Sequence, residues 1–198
     1  MDIRPVVLDG VHVRLEPLSV DHLPALIAVG LEPELWRWTT QLVRTPGEME
    51  DYVRGALAEQ AAGRALPFAT VEKASAAVVG STRFGAIDPD NRRVEIGWTW
   101  LAPRWQRTAL NTEAKYLMMR HAFERWDCVR VEFKTDVLNT TSRQALLRIG
   151  AKEEGVLRSH LITATGRIRD TVYFSVTASE WPAVRGALEA KLQTPRMR

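Results

Sequence analysis

Residues 98–115 read W-T-W-L-A-P-R-W-Q-R-T-A-L-N-T-E-A-K. An apolar strand pattern ends at Ala102-Pro103, a short basic and polar loop follows, and a long amphipathic helix starts with Asn111 and Thr112 near its beginning. A strand that feeds a loop at a helix N-terminus makes an anion pocket. The first helical N–H groups have no intrahelical partner, and the helix dipole favours negative charge. Arg104 and Arg107 stand in that loop. The guest that suits them is a phosphate or pyrophosphate, so the segment predicts a site for a phosphorylated cofactor.

The pattern extends in both directions. Upstream, residues 92–101 form a strand in which Val94, Ile96, Trp98 and Trp100 alternate with Glu95, Gly97 and Thr99. Asp88-Pro89-Asp90-Asn91 is a turn. Residues 67–71 and 76–87 are apolar and β-branched, and the K-A-S link between them predicts a hairpin. Nearer the N-terminus, residues 11–15 alternate as a strand, and Ser19 or Asp21 caps a helix running to about residue 29. Residues 46–62 open with Pro46, Glu48, Glu50 and Asp51 and stop at Gly63, which predicts a second helix.

Downstream, the helix over 112–126 carries a stripe of Ala114, Leu117, Met118, His121 and Ala122. Residues 128–137 form a strand with Val129, Val131 and Phe133 on one face. Asn139 caps a helix over 140–149, which Gly150 ends. Strands at 154–163 and 168–176 flank A-T-G-R, and Ser179 caps a last helix with Glu180 in its first turn and Pro182 near its start. The order β-α-α-β-β-β-α-β-α-β-β-α is an α+β arrangement: a mixed sheet with helices, not a strict βαβ repeat. It predicts one domain over residues 1–192 and a frayed tail at 193–198.

Composition narrows the classes. The chain has 198 residues, and 27 basic against 24 acidic side chains give a formal charge of +3. That balance does not argue for nucleic acid, and no basic stripe is interleaved with aromatics. No apolar run is long enough to span a bilayer, and no signal-peptide pattern opens the chain, so a cytoplasmic setting is expected. Cys128 is the one cysteine and reads as a buried small hydrophobe. Four scattered histidines give no metal-ligand spacing, and Walker, Rossmann and G-x-S-x-G motifs are absent. Arg104, Arg107, Lys115, Arg120, Arg143 and Arg148 flank the pocket-forming elements, either as solvated helix faces or as phosphate contacts.

V-E-I-G-W at Val94, N-T-E-A-K at Asn111, V-E-F-K-T-D at Val131, N-T-T-S at Asn139 and I-G-A-K-E-E-G-V-L-R at Ile149 occur in one order over nearly the whole chain, from Arg14 to Ser179. This order resembles the GNAT family of acetyl-CoA-dependent N-acetyltransferases, and is most similar to its RimJ/RimL-like branch. The resemblance implies a mostly antiparallel mixed sheet of about seven strands, flanked by helices and splayed between the fourth and fifth strands. It implies acetyl-CoA as cofactor and a primary amine as acceptor: a protein N-terminus, an amino acid or a small amine. A homodimer is common in the family.

In the family the loop usually reads Gln or Arg, two residues, Gly, one residue, then Gly or Ala. Arg104 fills the first place and Ala109 the last, while Arg107 stands where the first glycine normally stands. Glycine lets the backbone approach the pyrophosphate and take unusual dihedrals, whereas arginine brings a Cβ and a charge. By resemblance, the backbone from Arg107 through Thr108 and Ala109 to Leu110 takes the pyrophosphate at the helix start formed by Asn111 and Thr112. The pantetheine arm pairs like an extra strand with the backbone at Trp100 and Leu101. An N–H near Trp100 bonds the thioester oxygen, while Trp98 and Trp100 also read as core. Asn139 reads as a helix cap and as a pantetheine contact. Many relatives place a tyrosine at the position of Leu146 to protonate the departing thiolate; in its absence Ser142 is the candidate, against the reading of a plain helix-surface serine.

Attack on a thioester needs a neutral amine, so a base must take a proton. Glu95, on the face opposite Ile96, is the first candidate, with a salt-bridged glutamate as the alternative; His160 is the second. His121 reads as core-facing or helix-surface. Asp170 and Tyr173 orient an acceptor or sit at strand edge and core, and Arg158 can hold a carboxylate. Trp36 and Trp38 either form a wall of the acceptor site or fold back onto the core. Two other classes compete with the enzyme reading: a GNAT-fold module that binds CoA or regulates a partner without catalysis, and a nucleic-acid-binding domain.

Overall fold

The computed structural model describes residues 1–193. Strands β1 (Leu8–Asp9), β2 (Val13–Pro17), β3 (Leu66–Glu72), β4 (Ala77–Asp88), β5 (Arg93–Leu101), β6 (Arg130–Asp136), β7 (Lys152–Ile162) and β8 (Ile168–Thr177) form one sheet in the order β1-β2-β3-β4-β5-β6-β8-β7. Helices α1 (Leu23–Gly30), α2 (Pro33–Trp36), α3 (Pro46–Ala61), α4 (Leu110–Glu124), α5 (Thr140–Arg148) and α6 (Trp181–Gln193) complete the chain. The eight strands exceed the expected seven by β1, whose two residues are too short to give a period. The expected tail lies, apart from Gln193, outside the described residues.

Two apolar layers sandwich the sheet. Leu117, Met118 and Ala122 of α4 pack with Val94, Ile96, Phe133 and Phe174 in one cluster. Leu26, Trp36, Met49, Tyr52 and Val53 from the first three helices pack with Trp100 in the other. Local chemistry sets the helix ends. Thr45 and Glu48 form a capping box at α3, Pro46 follows it, and Gly63 leaves the helix at φ +72°. Asn139 Oδ1 accepts from Ser142 N at 3.0 Å to open α5, and Gly150 leaves it at φ +90°.

The feature that positions the site is a failure of pairing. β5 and β6 are parallel neighbours only over Arg93–Glu95 and Arg130–Glu132. Beyond that the two strands are not paired to each other, and the sheet opens between them. On its other side β5 stays paired to β4, but Ser81 faces Trp100 while Arg83 faces Gly97, so β5 carries one extra residue opposite Thr82. This is a β-bulge, with Trp98 at φ +50°, and it bends and twists the strand locally.

The bulge corrects the expected alternation. Val94 and Ile96 point to the α4 layer, Trp98 is 40% exposed, and Trp100 turns into the opposite core. Three boundaries also move. Val11 lies in the β1–β2 turn and is exposed, so that strand begins at Val13. α4 starts at Leu110 rather than at Thr112. Val129 is exposed instead of joining Val131 and Phe133, because Cys128 N still bonds Ala122 O at the helix exit and Asp127 sits at φ +53°. No described helix is long and apolar enough to cross a membrane.

Candidate active site

At the mouth of the gap, α4 begins at Leu110 with Ala109 as N-cap and no side-chain cap. Thr108 Oγ1 donates to Trp105 O at 2.7 Å and accepts from Leu110 N at 3.3 Å. Glu113 N is taken by Ala109 O. The amides of Asn111 and Thr112 therefore emerge from the helix end as donors. Asn111 Oδ1 is buried there without a hydrogen-bond partner. Arg107 sits at φ +59°, in the left-handed region where its family position carries glycine. The loop thus keeps the glycine conformation and adds a guanidinium, at a cost of about 1 kcal/mol.

One carboxylate fixes this entrance. Glu113, in the first turn of α4, is 4% exposed. Its Oε1 accepts from Val11 N at 2.8 Å, and its Oε2 accepts from His12 N and Val13 N at 2.7 Å each. A Cβ at Gly10 would lie 2.6 Å from the Glu113 carboxyl carbon, so glycine is required at that turn. The β1–β2 turn is thereby tied to the helix start. A cleft of about 300 Å³, lined by Val11, His12, Lys73, Thr108 and Leu110 among others, opens beside it.

Across the gap, on the side of the first three helices, charged groups collect. Glu95 is 8% exposed, and its Oε2 lies 2.8 Å from Lys134 Nζ. Burial pushes the Lys134 ammonium down, but Glu95 and Tyr173 outweigh it and hold the group above the ordinary lysine value. Lys134 Nζ stands 4.9 Å from the Tyr173 ring centre, and His160 packs edge-on against the same ring at 5.9 Å. His160 Nδ1 is buried without a partner. Arg169 donates to Trp38 O at 3.3 Å and lies 4.0 Å from Asp136, to which Arg167 is also paired. Arg167 and Arg37 flank the Trp38 ring.

The predicted residues thus divide. Glu95, Tyr173 and His160 come together, and half-buried Trp38 stands beside them through Arg169. Trp36 does not: it is 2% exposed, donates to Gly30 O at 2.7 Å and packs against Tyr52 and Trp100. Asp170 accepts from Ser159 N at 2.7 Å and holds a kink in β7. The side chains of Trp100 and Leu101 are buried in the cores, so only their backbone is offered to the gap. Arg104 stacks on Trp105 at 4.8 Å. Asn139 is occupied as the α5 cap, Ser142 is half-buried beside it, and Leu146 belongs to the core. Cys128 is buried and its thiol is pushed up to about 11, as suits an inert side chain.

Four charged residues escaped the sequence reading of the site's interior: Arg83, Lys115, Lys134 and Arg169. Lys115 reads in the sequence as a solvated helix cation or a phosphate contact, yet it is 5% exposed and its Nζ lies 2.6 Å from Thr99 Oγ1. The signal was faint. Glu113 and Lys115 interrupt the apolar stripe of α4, and a helix buried nearly all round shows no clean amphipathic face.

A family model for an acetyltransferase (GNAT) domain matches residues 12–152. The chain belongs to the GNAT acetyltransferase family. This GNAT protein resembles a crystal structure of a GCN5-related N-acetyltransferase from Brucella melitensis, with 34% identity, a TM-score of 0.89 and coverage of 96% of this chain and 86% of that one. It resembles Mycobacterium smegmatis RimJ in complex with CoA-disulfide at 26% identity and a TM-score of 0.79, covering 94% and 92% of the two chains. An uncharacterized N-acetyltransferase, p20, of Bacillus licheniformis is 30% identical over 119 residues, which span 60% of this chain and 66% of that protein. The expected RimJ/RimL-like GNAT fold is thus present, with the splay lying between β5 and β6 once β1 is counted.

Proposed function

We propose that this GNAT protein transfers the acetyl group of acetyl-CoA to a primary amine by direct attack within a ternary complex, in one domain over residues 1–192. The observation that carries the reading is the coincidence of two openings: the uncapped start of α4, and the unpaired edge of β5 beyond Glu95. The residues present fit the group. Emerging amides and the Arg107 guanidinium suit a diphosphate. The orphaned Asn111 Oδ1 suits an amide or amino donor, and the bare β5 edge suits a pantetheine arm that pairs as a strand would.

Acetyl-CoA supplies an activated acetyl thioester: the amine nitrogen forms a bond to the acetyl carbon, the carbon–sulfur bond breaks, and the thiolate leaves. The chain's part is proton handling and placement. Glu95, lying on the acceptor side of the gap, accepts the ammonium proton directly or through water. Lys134 holds that carboxylate in place at 2.8 Å. A backbone N–H near Trp100 bonds the oxyanion as charge develops on the thioester oxygen. Ser142, one turn on from Asn139, is the candidate that returns a proton to the thiolate. The proposed compartment is the cytoplasm, where a lone buried thiol stays reduced.

Release of free CoA thiol in the presence of a panel of amines tests the reading. Stoichiometric thiol release with an acetylated amine is expected. Tight CoA binding with no acetylated amine would favour a CoA-binding or regulatory module.

A further inference from the structure

Arg83 is a cation that this reaction does not use. It lies on β4, is 5% exposed and is paired in register with Gly97, next to the bulge residue Trp98. Its guanidinium is sandwiched between the Tyr52 ring at 5.2 Å and the Trp98 ring at 5.1 Å. Its Nε is buried without a hydrogen-bond partner. Among the described residues no carboxylate pairs with it; Glu59 acts on it only through space and is itself bonded to Arg64. The other cations on this side stand near an anion: half-buried Lys134 is paired with Glu95, and buried Arg169, whose Nε also lacks a hydrogen-bond partner, lies 4.0 Å from Asp136. A buried guanidinium without an anion is costly, and aromatic faces offset only part of that cost.

The strand register places this unmatched cation beside the proposed base. Gly85 pairs with Glu95 and Arg83 with Gly97, so Arg83 and Glu95 share one face, a diagonal step of about 7–8 Å apart. Gly97 contributes no side chain opposite Arg83, and the Glu95 carboxylate leans over it, with Oε1 3.0 Å from where a Gly97 Cβ would lie. The Trp98 ring covers Gly85, where a Cβ would lie 2.3 Å from it. Tyr52 Oη donates to Trp98 O at 3.4 Å and fixes the second ring. An acceptor entering the gap from this side therefore meets the Glu95 carboxylate and, one diagonal step across the strand pair, the Arg83 guanidinium held between its two rings.

We infer that Arg83 binds a carboxylate carried by the acceptor, so that the substrate is a small amino acid whose amine faces Glu95. The inference rests on the acetyl-transfer reading and deepens it. A planar guanidinium takes a carboxylate through two parallel hydrogen bonds, and the flanking rings keep water from competing.

The test pairs glycine, L-alanine and β-alanine with their carboxamides, and adds a dipeptide amide with aspartate in second place. The carboxamides have the more easily deprotonated amines, so that bias runs against the expected result. Wild-type kcat/KM is expected to favour each acid over its amide by at least about tenfold. Arg83→Met should cut the preference below about threefold, chiefly through KM, while Arg83→Lys keeps part of it and both leave CoA affinity in place. Equal turnover of acid and amide by the wild type, or an equal loss of both in Arg83→Met, overturns the proposal. So does a preference for the aspartyl peptide over the free amino acids. If CoA binds and no amine is acetylated, the acetyl-transfer reading fails, and calorimetric titration of the same acids and amides into the CoA-bound protein decides separately. Binding of acids alone, lost in Arg83→Met, upholds the carboxylate site; its absence removes it.

Discussion

Replacing Lys115 by Met tests how the protein carries a cation under its central strands. Lys115 is 5% exposed, with its Nζ 2.6 Å from Thr99 Oγ1 and 3.5 Å from Thr82 Oγ1. Burial pushes the ammonium down to about 7 from the ordinary 10.5, and the charge of Glu95 opposes this only in part. The folded protein thus binds this proton far more weakly than the unfolded chain does. Between about pH 7 and 10.5 the unfolded chain binds the extra proton, so stability rises with pH across that window and falls as pH drops to 7. At about 1.36 kcal/mol per tenfold in proton affinity, the interval corresponds to about 5 kcal/mol. Met fills a similar volume and carries no charge. Loss of the two threonine contacts takes back about 1–2 kcal/mol. Urea unfolding should therefore show Lys115→Met more stable than wild type by about 3–4 kcal/mol near pH 6, with the gap closing toward pH 10. Parallel stability curves across that range, or a variant less stable at pH 6, would refute the reasoning.

Three further outcomes are expected. Glu113→Ala removes the acceptor of three backbone N–H groups, of which that of Val13 is buried, and should cost about 2–3 kcal/mol, lowering Tm by about 4–12 °C; a melt within a degree or two of wild type would show that the β1–β2 turn does not need the carboxylate. Arg107→Glu places a like charge at the helix entrance and should weaken CoA binding by at least about tenfold in calorimetry at low salt. An unchanged Kd would take Arg107 out of the pocket. Glu95→Gln should lower kcat near neutral pH by about a hundredfold while CoA affinity moves less than about twofold; full activity would hand the base role to His160 or another group.

Much of the fold was legible because its signals are local. Turn residues at Asp88-Pro89-Asp90-Asn91, the Asn139 cap, and the Gly63 and Gly150 stops each act through neighbouring backbone, and each is where the sequence places it. The strand over 92–101 misled at one point. A period of two cannot register an inserted residue, so the bulge at Trp98, which breaks the alternation and opens the gap, was invisible. The exchange of β7 and β8 in sheet order was likewise hidden, since both strands read alike in isolation. At the site, the residue types of Glu95, His160 and Tyr173 announce proton chemistry, and the fold brings the three side chains together. Arg83, Lys115 and Arg169 carry no such signal, because a long cation on a strand or helix normally reaches water. Only the tertiary packing buries them.

Amide hydrogen exchange with and without acetyl-CoA tests the central claim most directly. The account predicts new protection at residues 98–101 of β5 and at residues 107–112 at the start of α4, with little change at β1–β3. Protection confined to other elements, or none at saturating acetyl-CoA, would contradict it.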